Sequence, residues 1–174
     1  MLHNLSLSQV YLLKMTMYHS DMTIIVDTRE KWTQKGYSDT HISDYFKAHN
    51  INYIVKKLDE GDYQLQGDNS LTIDRKKDMT EMYSCLANDK SRFMREVRRC
   101  YDKHKKLYVL IEHGASIKSI SDVARWSPKY GSLNGRQIMD RMFSLHMAYY
   151  VEFAFCDKRS TGRRIIEILT SNKS

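Results

Sequence analysis

Apolar and polar positions alternate most clearly over residues 61–76. Tyr63-Gln64-Leu65-Gln66 alternates, Gly67-Asp68-Asn69-Ser70 carries turn chemistry, and Leu71-Thr72-Ile73-Asp74 alternates again. Period-two alternation on both sides of a Gly/Asp/Asn turn predicts a β-hairpin, with Leu71 and Ile73 facing one way and Thr72 and Asp74 the other. Thr23 to Asp27 is a short apolar run closed by an acid, and Leu107 to Glu112 is apolar at nearly every position; both read as buried strands. Asn52 to Leu58 alternates ahead of the hairpin, and Val151 to Phe155 is a further strand.

Helical spacing appears at Ile42, Tyr45, Phe46 and Ala48 after a capping Thr40. It recurs at Met79, Met82, Tyr83 and Leu86, and in Ser91 to Lys106 at Phe93, Met94, Val97, Cys100 and Tyr101. Ser119 to Ala124 suggests a short helix. Asn134 reads as the cap of a helix carrying Ile138, Met139, Met142, Phe143 and Leu145, and Ser160 to Leu169 as a closing helix with Ile165, Ile166 and Leu169 inward. Strands alternating with helices in this order predict an α/β fold with a mixed central sheet. Met1 to Asp21 has no clear period and reads as an extension outside a core of residues 22–174. It lacks the basic start and small-residue cleavage site of a secretory leader.

Composition narrows the classes. The 174 residues suit one domain. The 28 Lys+Arg against 21 Asp+Glu give a net charge of +7, which suits a polyanionic partner without selecting one. Cys85, Cys100 and Cys156 are odd in number and form no Cys-x-x-Cys pair, so neither a disulfide framework nor structural zinc is expected. No apolar run approaches the roughly 20 residues of a membrane span. A cytoplasmic protein without membrane contact is expected. The histidines show no pairing pattern that would suggest a metal ligand.

A hairpin over 61–76 brings Asp62, at the start of its first strand, close to Asp74 and Lys76 at the end of its second. Two carboxylates and an amine at one sheet edge suit metal-assisted phosphodiester hydrolysis. Mg²⁺ takes oxygen ligands and is held by one or two carboxylates plus substrate phosphate. A neighbouring lysine can orient or deprotonate the attacking water, or steady the developing charge. On spacing alone, a hairpin with solvated charges at its ends is the favoured reading of the same residues, because short acidic motifs recur by accident.

Three blocks in order change that balance. Thr23-Ile24-Ile25-Val26-Asp27-Thr28-Arg29-Glu30, then Gly61-Asp62, then Asp74-Arg75-Lys76 resemble the nuclease domain of the XPF/Mus81 (ERCC4-type) family, a branch of the PD-(D/E)xK, restriction-endonuclease-like superfamily. The chain resembles the compact versions carried by phages and mobile elements. Asp74 stands where the family has Glu, and Thr80 where it has a final Asp, with Asp78 and Glu81 close by. The resemblance implies a restriction-endonuclease-like fold and a Mg²⁺-dependent DNA endonuclease acting on branched, flap or junction DNA in recombination, repair or replication, with Mn²⁺ able to substitute. It implies that Asp27, Asp62 and Asp74 hold the metal, that Lys76 acts on the attacking water, that Arg29 and Glu30 flank the site, and that Arg75 supports it. The alternative is a DNA-binding module on the same fold that does not cleave.

Lys31 and Lys35 after the first strand, Arg95, Arg98 and Arg99 on the basic helix, and Arg125, Lys129 and Arg136 around an aromatic loop are candidate contacts to a DNA backbone. For each group a solvated surface is the competing reading. The family resemblance also suggests a homodimer through the nuclease domain or a separate DNA-binding partner.

Overall fold

The computed structural model describes residues 22–34, 40–87, 91–114 and 116–171. Among them, six strands form one mixed sheet: β1 Thr23–Val26, β2 Asn52–Val55, β3 Tyr63–Leu65, β4 Leu71–Lys76, β5 Lys106–Glu112 and β6 Glu152–Cys156. Their spatial order is β2-β1-β3-β4-β5-β6. β1 runs parallel to β2 and antiparallel to β3. β3 and β4 form the expected antiparallel hairpin, with Tyr63 opposite Ile73, and β4, β5 and β6 run parallel.

Helices α1 (His41–Ala48), α2 (Met79–Leu86), α3 (Arg92–Asp102), α4 (Gly135–Tyr149) and α5 (Thr161–Thr170) cover the sheet. α2, α3 and α4 pack on one face, over Leu107, Val109 and Ile111; α1 and α5 pack on the other, over Ile24, Val26, Ile73 and Leu110. β5 is buried on both sides, which is why its sequence does not alternate. β4 alternates functionally. Asp74 and Lys76 pair in register with Val109 and Ile111 and share their face, whereas Leu71, Ile73 and Arg75 face α1 and α5.

Local chemistry sets several element ends. Asp78 caps α2, accepting from the Glu81 N–H, and Asn134 with Gln137 forms a reciprocal capping box at α4. α3 stops at Asp102, short of the expected Lys106, because His104 turns left-handed at φ 52° and β5 begins two residues on. The strand expected over 52–58 ends at Val55 and is an edge strand, paired only with β1; all four of its residues are exposed. Thr40 does not cap α1, since its hydroxyl donates to Asp44 instead. Phe143, expected inward, is 39% exposed. The proposed extension, Met1 to Asp21, lies outside the described residues.

Candidate active site

Three strand ends meet where the sequence suggested. The Asp62 N–H donates to Ile73 O at 2.6 Å, and the Asp27 N–H donates to Asp62 O at 2.8 Å. The carboxylate of Asp62 in turn accepts from the Arg75 N–H at 2.8 Å. Gly61 makes this approach possible. Its φ is +74°, and a Cβ there would lie 2.0 Å from Thr72 Oγ1, so no other residue fits the Gly-Asp step without displacement.

On the α2/α3 face, Asp74 and Lys76 are both buried, and the ammonium stacks 5.3 Å from the centroid of Phe93. Lys76 Nζ lies 2.8 Å from Asp74 Oδ1 and 2.6 Å from Oδ2. Only the first contact has hydrogen-bond geometry, so Oδ2 is buried without a hydrogen bond. Glu96, on α3, reaches the same place and accepts from the Gly61 N–H at 2.5 Å. Asp62 keeps some exposed surface, but its carboxylate is closely surrounded. Burial first, then the charges of Asp74 and Glu30, push its pKa well above the ordinary carboxylate value, against the pull of the Arg75 N–H and Lys76. Glu96 is raised for the same reasons, burial and then Asp74. Burial disfavours the Lys76 ammonium, but Asp74, with smaller contributions from Asp62 and other neighbours, outweighs it and holds the pKa above its usual value. Lys76 therefore stays charged.

Asp27 and Arg29 sit at the neighbouring strand end. Asp27 is fully buried, and Arg29 donates to its Oδ1 from both the backbone N–H (2.8 Å) and Nε (2.5 Å), while the Leu58 N–H donates to Oδ2 at 2.6 Å. Burial alone would raise the pKa of Asp27, but these donors lower it. Arg29 also reaches Leu58 O and Gly61 O, at 3.1 and 3.4 Å, and so ties β1 to the loop ahead of the hairpin.

Glu30 and Arg75 lie on the opposite face of the sheet. Arg75 bridges Glu30 (Nε to Oε2, 3.0 Å) and Glu112 (Nη1 to Oε1, 2.8 Å). Tyr63 Oη donates to Glu30 Oε2, Trp32 Nε1 donates to Tyr63 Oη, and Thr161 Oγ1 donates to Glu112. Arg75 thus supports the site through its backbone N–H, while its side chain braces the other layer.

Among the described residues, no group of three His, Cys, Asp or Glu side chains is arranged to hold a metal ion. Asp27, Asp62 and Asp74 are therefore not gathered as one three-carboxylate cage, because the carboxylate of Asp27 is turned to Arg29 and Leu58. The pair Asp62 and Asp74 remains, with Glu96 behind it. That donor set fits a hard divalent cation, which needs only one or two carboxylates beside water and phosphate. The like-charge pressure of Asp74 on Asp62 is what a bound cation would relieve.

Among the candidate DNA contacts, Lys31, Arg95, Arg98, Arg125, Lys129 and Arg136 are exposed. Arg99 is exposed as well, and its Nε lies 3.4 Å from Glu60, a buried acid also held by Lys103 at 2.7 Å and Lys105 at 3.3 Å. Arg125 pairs with Asp122. Lys35 lies outside the described residues. Near Thr80, which is exposed, Asp78 caps α2 and Glu81 accepts from the Lys77 N–H. Glu96 and Glu60 were missed from sequence. Glu96 left a signal: it is an acid inside the apolar stripe of a basic helix, between Phe93 and Val97.

Residues 26–167 match the ERCC4 domain. The chain belongs to the ERCC4 domain family. No curated protein sequence matches it. Among solved structures it is similar to XPF from Aeropyrum pernix, with a TM-score of 0.62 and 18% identity over 87% of this chain, and to the same protein in complex with DNA, with a TM-score of 0.62 and 16% identity over 87%. The match spans 65% of that longer chain in both cases. At this identity the likeness establishes the fold: an α/β, restriction-endonuclease-like mixed sheet flanked by helices. Among the described residues no helix is long and apolar enough to cross a membrane.

Proposed function

We propose that this ERCC4 domain is a divalent-metal-dependent DNA endonuclease that selects branched, flap or junction DNA. One observation carries the reading. Asp62 and Asp74 are brought together at one strand end, where burial and then the charge of Asp74 raise the pKa of Asp62, and a charged lysine lies 2.6 Å from the buried Asp74 carboxylate. Asp62 and Asp74 would hold Mg²⁺ or Mn²⁺, and Glu96 would add negative charge from behind. When bound, the ion supplies charge neutralisation at the phosphate and a water of lowered pKa. Lys76, kept protonated beside Asp74, is suited to orient the attacking water and to donate to the phosphate oxygens as negative charge builds, more than to act as a free base. Arg29 and Asp27 fix the loop that presents Gly61 and Asp62. Arg75 holds the carboxylate of Asp62 from its backbone.

The test is a panel of forked, flapped, nicked and four-way DNAs incubated with Mg²⁺ and with Mn²⁺. Cleavage of at least one, abolished in Asp62→Asn and strongly reduced in Lys76→Ala with DNA binding retained, is expected. A folded, metal-supplied protein that binds these DNAs and cuts none would establish the second reading, a DNA-binding module. Thr80 at the family's last acidic position is the observation in favour of that reading, since the two nearby acids are engaged at the start of α2. A homodimer or a separate DNA-binding partner also belongs to the proposal, and light scattering with and without DNA distinguishes them. The DNA in the solved XPF complex motivates the choice of ligand.

A further inference from the structure

β4, β5 and β6 run parallel, so their carboxyl ends open on one edge of the molecule. In open α/β sheets, ligands settle at that edge. Two cavities lie there, about 330 and 570 Å³ in volume, and Asp157 and Ser160 line both. Six cationic side chains surround them: Lys118, Arg163 and Arg164 at the first, Lys77, Lys158 and Arg159 at the second. Three acids share the lining, and two of these are already matched. Glu112 is buried against Arg75 and Thr161, and Glu167 pairs with Arg163 at 3.4 Å and Arg164 at 3.0 Å. The cleft is therefore positive overall, and Lys77, at the carboxyl end of β4, is among its lining residues.

We propose that this strand-end cleft binds the phosphodiester backbone of the DNA strand that passes Asp62, Asp74 and Lys76. The inference rests on the nuclease reading above and adds a substrate path to it. It also departs from the sequence-based contact candidates, none of which lines the cleft among the described residues. A backbone entering over Lys77 keeps its phosphates beside cations on leaving the carboxylate pair, so the acids of the site do not repel it. The chemistry favours a run of phosphates over a single anion, because the cations are spread over two adjoining cavities.

The experiment measures binding of a flap DNA by the full chain in EDTA, where no cleavage occurs, across a salt series. The double variant Lys158→Gln/Arg159→Gln is compared with wild type, and Lys77→Gln/Lys118→Gln serves as a second, independent pair. Loss of two phosphate contacts is expected to weaken binding about tenfold or more at low salt and to flatten the slope of log K against log salt by about 1.4–1.8. Unchanged affinity and slope in both pairs, with wild type binding normally, would overturn the cleft while leaving the nuclease reading intact. Failure of wild type to bind any DNA would overturn both. Arg125→Gln/Lys129→Gln, on the aromatic loop, is the comparison: an equal loss there and in both cleft pairs would mean general charge attraction, not a defined cleft.

Discussion

The two faces of β4 carry opposite kinds of charge cluster. On the α1/α5 face, Arg75 satisfies Glu30 and Glu112, and Tyr63, Trp32 and Thr161 fill the remaining bonds. On the α2/α3 face, Asp62, Asp74 and Glu96 crowd around one ammonium, and an oxygen of Asp74 has no hydrogen bond. The residues responsible are neighbours in the chain, and only strand alternation separates them. A balanced buried network holds the fold together, while an acid excess is unstable until something positive arrives. That difference separates a structural brace from a site.

Substitutions on the two faces should therefore differ in kind. Lys76→Ala should act chiefly on activity: with the folded fraction controlled by urea unfolding, since buried Asp74 loses its partner, single-turnover cleavage at saturating Mg²⁺ should fall by about 10²–10³-fold. Arg75→Met should do the reverse first: it leaves Glu30 and Glu112 buried without their cation, so urea unfolding should show a loss of about 3–5 kcal/mol. If Arg75→Met keeps wild-type stability, the brace assignment is wrong.

Asp27 offers a third, intermediate case. Asp27→Asn should cost about 1–3 kcal/mol at neutral pH, because Arg29 and the Leu58 N–H lose a charged acceptor. The folded pKa of Asp27 lies below its unfolded value, so its contribution is present above the unfolded pKa and disappears as pH falls through the folded one. Wild type should lose stability over that acid range more steeply than the variant.

The smallest expected effect has the opposite sign. The folded pKa of Asp62 lies above its unfolded value, so the folded state binds more protons and stability falls as pH rises through that window. Asp62→Asn should raise the melting temperature of the metal-free protein at neutral pH. Mg²⁺ should then stabilise wild type and leave the variant unmoved, since only a state that binds the ion gains from it. A destabilised variant, or one still stabilised by Mg²⁺, would place the ion elsewhere.

Much of this was readable in advance. The hairpin was legible because alternation and turn residues are local, and the Gly-Asp step because it is one of the three family blocks. β5 was legible from its unbroken apolar run. The site was only half legible. Asp62, Asp74 and Lys76 converge through hairpin geometry, which follows from sequence distance. Glu96 arrives from a helix 35 residues beyond Gly61, and no local rule places it. Arg75 on β4 and Glu30 after β1 pair on the opposite face, a placement that no local rule gives.

The sequence by itself determined the periodicities, the turn, the family blocks and hence the fold, since each depends on residues close together in the chain or on order along it. Only the tertiary structure decided which charges are matched. Pairing energy depends on distance and burial across separate elements: whether Asp27 meets Arg29 or an ion, whether Arg99 reaches Glu60, and which end of the sheet gathers cations from α5 and from the segments after β4 and β6. The same residue types at the same spacings would have allowed either outcome.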